Sequence, residues 1–486
     1  MSAAPRLGTV AARGAAVTLG GQGARLLLQL TSVAVLARLL SPRDYGLVAM
    51  VVVVIGVGEI SRDFGLSTAA IQAARLSDRQ RDNLFWVNTA LGAVLALLLV
   101  VASPLVAEFF DRPELVGISR VLALTFLLNG LSAQYRAGLN RALRFGRLVV
   151  SDVSAQLVGL LVGVVLALSG AGYWALVGQQ LGQGAAALAL VALAGRWRPR
   201  RPTRGADMRA FFSFGWQLAA GQLVNYAGRN ADTFVIGHRF GASDLGVYNR
   251  AWQLLMVPLS QVRQPSTTVA LPVLSRLQDE PRRYASYLVA GQLAFGYTLV
   301  PALGLAVGAA SPLVALFLGD QWGAAVPLLQ ALAFGGLFET LAYVAFWVYL
   351  SRGLTAALLR YSTASAVLKG VLVLLGSRYG LEGVAAGFAL GAALDWPLGM
   401  WWLSRFTPLP LRELVTGALR CAGLAVTAGA GALLVVRALD AEPAVVVLAA
   451  AALAGLAVYA LAALVSGRVR RDLREVAGIA TRLRRP

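Results

Sequence analysis

Long apolar segments follow one another along almost the whole chain, and no other sequence feature restricts the fold as strongly. Hydrophobic residues fill 58% of the 486 positions and charged residues only 14%, which is too apolar for a soluble protein of this length. The hydrocarbon core of a bilayer is about 30 Å thick and needs about 20 helical residues per crossing. The sequence therefore predicts an all-α integral membrane protein with about fourteen transmembrane helices. Their approximate bounds are 14–37, 45–67, 85–106, 115–140, 150–169, 173–195, 211–236, 244–270, 284–310, 323–350, 356–376, 383–403, 413–436 and 443–466.

Once these helices are placed, the basic residues lie mostly on one side of the membrane. With the amino terminus inside, the cytoplasmic segments hold 27 of the 43 Lys and Arg residues, and the external loops hold five besides Arg38, which directly follows the first span. This bias follows the positive-inside rule and predicts a multi-pass protein of the bacterial cytoplasmic (inner) membrane with both termini in the cytoplasm. The net charge of +20 then reflects topology and contacts with anionic membrane lipids, and we expect no nucleic-acid partner.

One segment interrupts the series of helices more strongly than any other. Residues 196–210 are rich in Arg and Pro and poor in apolar residues, which is typical of a linker. We therefore expect two six-helix bundles, followed by two additional helices and a basic tail. The predicted bounds are 1–195 for the N-terminal bundle, 196–210 for the cytoplasmic linker, 211–404 for the C-terminal bundle, 405–466 for the additional helices and 467–486 for the cytoplasmic tail.

The two bundles carry related sequences 200 residues apart. Asp44-Tyr45-Gly46 follows the first predicted helix, and Asp244-Leu245-Gly246 follows the seventh. Such self-similarity indicates duplicated, pseudo-symmetric bundles, in parallel orientation because each has six spans. We interpret Asp44 and Asp244 as N-caps of the second and eighth helices. Small residues spaced four apart also predict close helix packing, at Gly159 and Gly163, Gly304 and Gly308, and Gly387 and Gly391.

Two of the predicted membrane helices carry a stripe of polar residues on one face. A helix turns once every 3.6 residues, so side chains three or four positions apart share a face. Polar groups at membrane depth are costly and usually face a water-filled cavity inside the protein. Matching stripes in the two repeats predict a cavity shared between them, which is typical of a transporter. The first stripe is Gln22, Arg25, Gln29 and Ser32, and the second stripe is Gln222, Asn225, Arg229 and Asp232.

Arginine outnumbers the carboxylates among the charges predicted to lie within the membrane. A guanidinium group matches the geometry of phosphate oxygens, including those of a pyrophosphate. Amide and hydroxyl groups beside it can bind sugar hydroxyls. The pattern therefore indicates an anionic, sugar-bearing cargo. The candidate substrate-binding residues are Arg25, Arg62, Arg229 and Arg250, and the candidate polar residues of the cavity are Gln22, Gln29, Gln222, Asn225, Tyr226 and Gln253.

Four acidic residues within the predicted spans have two alternative roles. Each either carries a coupling ion or is a buried partner of an Arg or of Lys369. Glu59 and Arg62 lie one turn apart and can form an ion pair within their helix, as can Arg229 and Asp232. We expect no cofactor, and transport is driven by an H+ or Na+ gradient or by the membrane potential. The four candidates for ion coupling are Glu59, Asp232, Glu339 and Asp395.

The sequence offers little material for catalysis. His238 and Cys421 are the single His and the single Cys, so we expect neither a metal site nor a disulfide. The connections between helices are short and leave no room for the catalytic groups of a membrane enzyme. A phosphate-binding GxxxxGK[ST] motif is absent from the sequence. We therefore expect a transporter without catalytic residues and without covalent chemistry.

Two segments resemble a known family. Ala37–Met50 (ARLLSPRDYGLVAM) and Gly221–Tyr284 (beginning GQLVNYAGRNADTFVIGHRFGASDLGVYNR) are similar to the oligosaccharide flippases of the MOP (multidrug, oligosaccharidyl-lipid, polysaccharide) superfamily. The resemblance is strongest to the Wzx-like branch of lipopolysaccharide and polysaccharide exporters. It implies two six-helix bundles that form a V around a central cavity, with two additional carboxy-terminal helices.

The family resemblance also implies a function. Members flip undecaprenyl-pyrophosphate-linked oligosaccharide repeat units across the membrane by alternating access, for the biosynthesis of O-antigen, exopolysaccharide or capsule. By position, Arg25, Arg62, Arg229 and Arg250 would engage the pyrophosphate. The implied partners are the lipid-linked oligosaccharide, membrane lipids, the polysaccharide polymerase and glycosyltransferases, and we expect the protein to be a monomer.

Three other functions compete with this interpretation. A lipid II flippase for peptidoglycan also has fourteen spans and a cationic cavity. A cation-coupled drug exporter typically has twelve spans and a carboxylate-rich cavity, which fits the excess of Arg less well. A membrane glycosyltransferase is the weakest alternative, because the short loops leave no room for its catalysis.

Overall fold

Helices account for all the regular secondary structure in the described part of the chain, as the apolar segments predict. The computed structural model describes residues 7–63, 76–203, 222–223, 226, 228, 230–439 and 441–483. The α-helices are α1 (Leu7–Leu39), α2 (Pro42–Asp63), α3 (Asp78–Phe110), α4 (Glu114–Leu122), α5 (Leu124–Arg141), α6 (Phe145–Leu168), α7 (Trp174–Gly195), α8 (Ala231–Arg239), α9 (Ala242–Arg276), α10 (Pro281–Thr298), α11 (Val300–Gly308), α12 (Ala310–Phe317), α13 (Ala325–Ser351), α14 (Thr355–Gly376), α15 (Gly380–Ser404), α16 (Leu411–Ala438), α17 (Ala444–Val465) and α18 (Gly467–Leu483). Short 3-10 turns lie at Asp320–Trp322 and Ser377–Tyr379.

The helices are suited to a membrane. Ten stretches of the described residues are long and apolar enough to cross a bilayer, and one of them, Thr355–Ser404, contains both α14 and α15. This confirms a multi-pass membrane protein. The predicted number of fourteen spans is not established, because the seventh span, 211–236, lies mostly outside the described residues. The helices α1 and α9 coincide with the first and eighth predicted spans but are not among the ten apolar stretches.

The chain divides into two compact units, Met1–Gly246 and Val247–Pro486. In the first unit, α6 packs along α7 and α1, and α3 packs along α5. A buried group of Phe85, Tyr135, Leu139, Leu148 and Val191 joins α3, α5, α6 and α7. The boundaries predicted from the sequence for the two bundles and the linker remain predictions.

The beginning of the predicted linker is anchored to the start of α3. The Trp86 indole donates to the carbonyl of Arg200 at 2.8 Å, and the Asn83 side chain both donates to and accepts from the backbone of Thr203 at 2.9 Å. The Asp82 carboxylate accepts from the backbone N–H of Arg200 at 3.2 Å. These bonds satisfy backbone groups that a chain without secondary structure leaves unpaired.

Glycine allows close helix contacts in the second unit, as the small-residue pairs predict. A side chain on Gly304 or Gly308 would overlap the backbone of α16, and one on Gly387 would overlap the backbone of α14. Helices can therefore approach until their backbones touch, which is how membrane helices gain packing energy without a hydrophobic driving force between them. The same holds at Gly159, where a side chain would meet the backbone of α7.

Ser41, not Asp44, caps the start of α2. The helix begins at Pro42, so Asp44 lies in its first turn and the prediction of Asp44 as N-cap is wrong. The Asp44 carboxylate accepts from the backbone N–H of Ser41 at 2.9 Å and from its hydroxyl at 2.6 Å, while the Ser41 hydroxyl accepts from the N–H of Asp44 at 3.3 Å. This is the reciprocal pattern of a capping box. Asp244 likewise lies in the first turn of α9, which begins at Ala242.

The two repeat motifs contact each other reciprocally. A side chain on Gly46 would overlap the backbone of Ala242, and one on Gly246 would overlap the backbone of Pro42. Pro42 and Ala242 are themselves 200 positions apart, as are Gly46 and Gly246. Gly46 therefore meets Ala242, and the equivalent Gly246 meets the equivalent Pro42. Such a reciprocal pair of contacts is what a local twofold relation between the starts of α2 and α9 requires.

Candidate functional site

The first stripe lies on α1 and faces other helices of the first unit. The amide of Gln156 on α6 donates to the carbonyl of Arg25 at 3.1 Å, and the amide of Gln179 on α7 donates to the Ser32 hydroxyl at 2.8 Å. Gln22 and Gln29 are partly buried. Two members of the stripe, Arg25 and Ser32, therefore contact α6 and α7, and the cavity between the repeats remains a prediction.

Two arginines share one carboxylate beside this stripe. The Arg25 guanidinium lies 3.2 Å from the Asp152 carboxylate on α6, and the Arg136 guanidinium on α5 lies 2.7 Å from it. The Asp152 side chain is only 12% exposed, whereas Arg25 is 47% and Arg136 is 36% exposed. We call these three residues the Arg25 cluster. Its net charge is about +1, and each guanidinium has five N–H donors, more than one carboxylate can occupy. The cluster therefore presents unused donors to an anion.

Sequence reasoning missed two of the three residues of the Arg25 cluster. Arg136 lies near the end of the predicted span 115–140, and it pairs with Asp152. Asp152 was not a candidate, although an acid inside the predicted span 150–169 is a signal that it needs a partner. The sequence separation of 127 residues between Arg25 and Asp152 places their contact beyond the reach of helical periodicity.

Arg62 belongs to a second and more enclosed cluster. It forms the predicted ion pair with Glu59 at 2.8 Å within α2, and Glu59 also accepts from the Asn129 amide on α5 at 2.9 Å. Arg62 is 8% exposed, and its Nη1 has no hydrogen-bond partner among the groups that the structure describes. The guanidinium thus retains a donor, but the anion that reaches it must enter a more buried place than the Arg25 cluster offers.

The second stripe is described only in part. Asn225 and Arg229 lie outside the described residues, so the predicted pair of Arg229 with Asp232 has no structural account. Gln222 is exposed, and the Tyr226 hydroxyl donates to the carbonyl of Val53 on α2 at 3.1 Å. Asp232 is 7% exposed near the start of α8, where its carboxylate accepts from the N–H of Thr233 at 2.7 Å.

Arg250 and Gln253 lie on α9 in the second unit, and both are partly buried. They follow the first turn of α9, whose Gly246 contacts α2. Their role in binding remains a prediction.

The two remaining acidic candidates, Glu339 and Asp395, lie together in the second unit. The Lys369 ammonium is 3.4 Å from the Glu339 carboxylate and 3.2 Å from the Asp395 carboxylate. Arg263 lies 3.8 Å from Glu339, and the Tyr361 hydroxyl donates to Asp395 at 2.6 Å. We call these five residues the Lys369 cluster. Of the two roles considered from the sequence, partnership with Lys369 is the one visible as a contact.

Comparison with solved structures identifies the fold. Lipid II flippase MurJ in an inward closed conformation aligns over 93% of this chain and 98% of its own, with a TM-score of 0.71 and 12% identity. An inward-facing multidrug resistance MATE family transporter of the MOP superfamily aligns over 78% of this chain and 94% of its own, with a TM-score of 0.59 and 16% identity. This chain therefore shares the fold of these two transporters.

Relatives with similar sequences include biosynthesis proteins of teichuronic acid and of lipopolysaccharide. The teichuronic acid biosynthesis protein TuaB of Bacillus subtilis is 28% identical over 73% of this chain and 74% of its own. The lipopolysaccharide biosynthesis protein WzxC of Escherichia coli is 28% identical over 64% of each chain. The model of the polysaccharide biosynthesis protein family matches residues 35–327, more than half of the chain, and the protein therefore belongs to this family.

Proposed function

We propose that this protein is a flippase that moves undecaprenyl-pyrophosphate-linked oligosaccharide repeat units from the inner to the outer leaflet of the bacterial cytoplasmic membrane. The transported molecule serves surface polysaccharide synthesis, and no bond in it is made or broken. The Arg25 cluster carries this proposal, because it offers two partly exposed guanidinium groups on membrane-spanning helices of a polysaccharide biosynthesis protein.

The chemistry of the cluster suits a diphosphate. Phosphate oxygens accept charge-assisted hydrogen bonds from guanidinium groups, each contributing about 1.5–3 kcal/mol. Arg25 and Arg136 are already held by Asp152, so their side chains lose little further conformational freedom when the substrate arrives. Preorganisation of this kind strengthens binding without any added contact.

Asp152 also limits how tightly the substrate is held. A transporter must release its substrate on the far side, so its site must bind well enough to load and weakly enough to unload. The carboxylate of Asp152 competes with the diphosphate for the same donors. When the two guanidinium groups return to Asp152, the departing anion leaves no uncompensated pair of positive charges behind.

The deletion of the gene tests the proposed function. We expect surface polysaccharide to be lost and lipid-linked oligosaccharide to accumulate, with the oligosaccharide resistant to a reagent that reaches only the outer leaflet. The strain should remain viable when synthesis of the oligosaccharide is also blocked. A lethal deletion with accumulation of lipid II would instead identify a peptidoglycan flippase and contradict the proposal.

A further inference from the structure

The chain contains one lysine among 43 basic residues, and the structure places it in an ion cluster between membrane helices. Lys369 lies on α14, far from either end of the helix. Arginine occupies every other basic position of the sequence. With so strong a preference for arginine, the single lysine suggests that its position needs an ammonium. An ammonium is smaller than a guanidinium and loses a proton more easily.

The Lys369 ammonium bridges two carboxylates that come from different helices. It lies 3.4 Å from Oε1 of Glu339 on α13 and 3.2 Å from Oδ2 of Asp395 on α15. The other oxygen of each carboxylate faces a different partner. Oε2 of Glu339 lies 3.8 Å from Arg263 on α9, and Oδ1 of Asp395 accepts from the Tyr361 hydroxyl on α14 at 2.6 Å. The ammonium therefore lies between Oε1 of Glu339 and Oδ2 of Asp395.

The packing of α14 against α15 keeps Lys369 in this place. Gly387 lets the two helices approach until backbones touch, and a side chain on Gly391 would press on the Lys369 stem at 3.0 Å. Asp395 lies one turn beyond Gly391 on the same face of α15. The side chains of Lys369, Glu339 and Asp395 are 21%, 26% and 17% exposed. Two carboxylates this enclosed need a cation.

Two carboxylates that converge on one cation are the arrangement that proteins use to bind metal cations, since carboxylate oxygen is a preferred ligand of hard cations. Here the cation is covalently attached to the chain. An ammonium is compact enough to lie between the acids, and unlike a guanidinium it can exchange its proton when its surroundings change.

We propose that Glu339 and Asp395 form a cation site whose resident occupant is the Lys369 ammonium, so that the ion this site exchanges with solution during transport is the proton of Lys369. This proposal rests on the proposed transport function for its role but not for its chemistry. While the cluster is assembled, two positive and two negative charges balance. When α14 separates from both α13 and α15 while Lys369 stays out of water, the ammonium loses both carboxylate partners, and burial then favours the neutral amine, which forms as one proton leaves for the solution. Reassembly takes up one proton and restores the balance.

Thermal unfolding of the purified full-length protein tests the cation site without any transport substrate. The melting temperature is measured in NaCl and in N-methyl-D-glucamine chloride at the same ionic strength. We expect the wild-type protein to melt equally in both, because the site is occupied. In Lys369→Ala, the vacated carboxylate pair should bind Na+ and raise the melting temperature by at least about 3 °C. Stabilisation of the wild-type protein by Na+ to the same extent as Lys369→Ala would overturn the proposal.

Lys369→Arg tests the proton. Arginine keeps the positive charge but does not deprotonate near neutral pH. We expect normal membrane abundance and an unchanged melting temperature, but a loss of polysaccharide export of at least about tenfold, because one exchangeable proton is removed. Arg360→Lys, the reverse exchange at an exposed position of the same helix, should export normally. Wild-type export by Lys369→Arg would show that charge alone matters and would refute the proton role. If the deletion phenotype fails while the Na+ result holds, only the proposed function is wrong.

Discussion

At the scale of single residues, the most important feature is the Arg25 cluster, in which one carboxylate pairs with two guanidinium groups. Asp152 neutralises one guanidinium, yet it touches two. Fully paired surface charges contribute little because water competes for them. Here the enclosed carboxylate of Asp152 orients the two guanidinium groups. The guanidinium groups are partly exposed and remain available to an anion.

Removal of one guanidinium should reduce transport more than stability. We expect Arg25→Ala or Arg136→Ala to lower polysaccharide export at least about tenfold, because each loses charge-assisted bonds of about 1.5–3 kcal/mol to the diphosphate. The measurement is surface polysaccharide per cell at matched membrane abundance of the protein. Arg43→Ala is the matched control, because Arg43 also pairs with a carboxylate, that of Glu114 at 2.6 Å, but is 62% exposed. Export that stays normal in both cluster variants would remove the Arg25 cluster from the substrate site.

At the scale of helices, glycine lets the backbones of neighbouring helices touch. The starts of α2 and α9 meet through Gly46 and Gly246, where any side chain would overlap a backbone carbonyl. A rigid backbone cannot yield as the end of a flexible side chain does. The consequence of enlarging either glycine is therefore a shift of a whole helix.

Gly246→Ala should lower the thermal stability of the protein. Overpacking of a close contact costs about 1–3 kcal/mol, which exceeds what alanine gains over glycine in a helix. The melting temperature of the purified protein measures the effect, and Gly46→Ala should behave alike because the two contacts are reciprocal. Gly423→Ala is the control, since a side chain there meets nothing within 4 Å. Equal melting temperatures for Gly246→Ala and Gly423→Ala would contradict the contact.

A buried carboxylate fastens the tail helix α18 to the second unit. Asp472 is 7% exposed and accepts from the Arg420 guanidinium on α16 at 2.8 and 3.0 Å and from the Tyr297 hydroxyl on α10 at 3.0 Å. The remainder of α18 is rich in arginine, and the Asp472 contacts help to hold this strongly basic helix against the second unit.

Asp472→Asn should loosen that tail. Asparagine cannot neutralise the Arg420 guanidinium, and breaking one partner of an enclosed pair costs more than losing an exposed pair. We expect trypsin to cleave the tail after its exposed arginines several-fold faster, because proteolysis follows the population of the open form. The exposed Glu475 on the same helix provides the control substitution, Glu475→Gln. The same rate of cleavage in both variants would mean that Asp472 does not hold the tail.

At the scale of the whole molecule, patterns within one segment predict that the segment is helical, but they do not predict which helices are neighbours. The apolar segments predict the helical fold, because apolar runs of helical length depend only on residues close in sequence. The partnerships of Asp152 with Arg25 and of Lys369 with Asp395 depend on which helices are neighbours, and no spacing within one helix encodes that. The motifs at Gly46 and Gly246 are visible in the sequence as a repeat, but the repeat does not predict that the two motifs touch, as they do in the structure.

The charge bias along the chain makes a prediction for the entire topology. Arginines concentrated at 196–209 and 468–485 should keep both segments in the cytoplasm, since basic loops are retained on that side. A green fluorescent protein fused after Pro486 should therefore fluoresce, and alkaline phosphatase fused within the predicted external loop 437–442 should be active. Replacing the arginines between 468 and 474 with glutamine should leave the first spans in place, because their own flanking charges orient them. An active phosphatase fused after Pro486 in the unaltered protein would place the carboxy terminus outside and would refute the predicted topology with both termini in the cytoplasm.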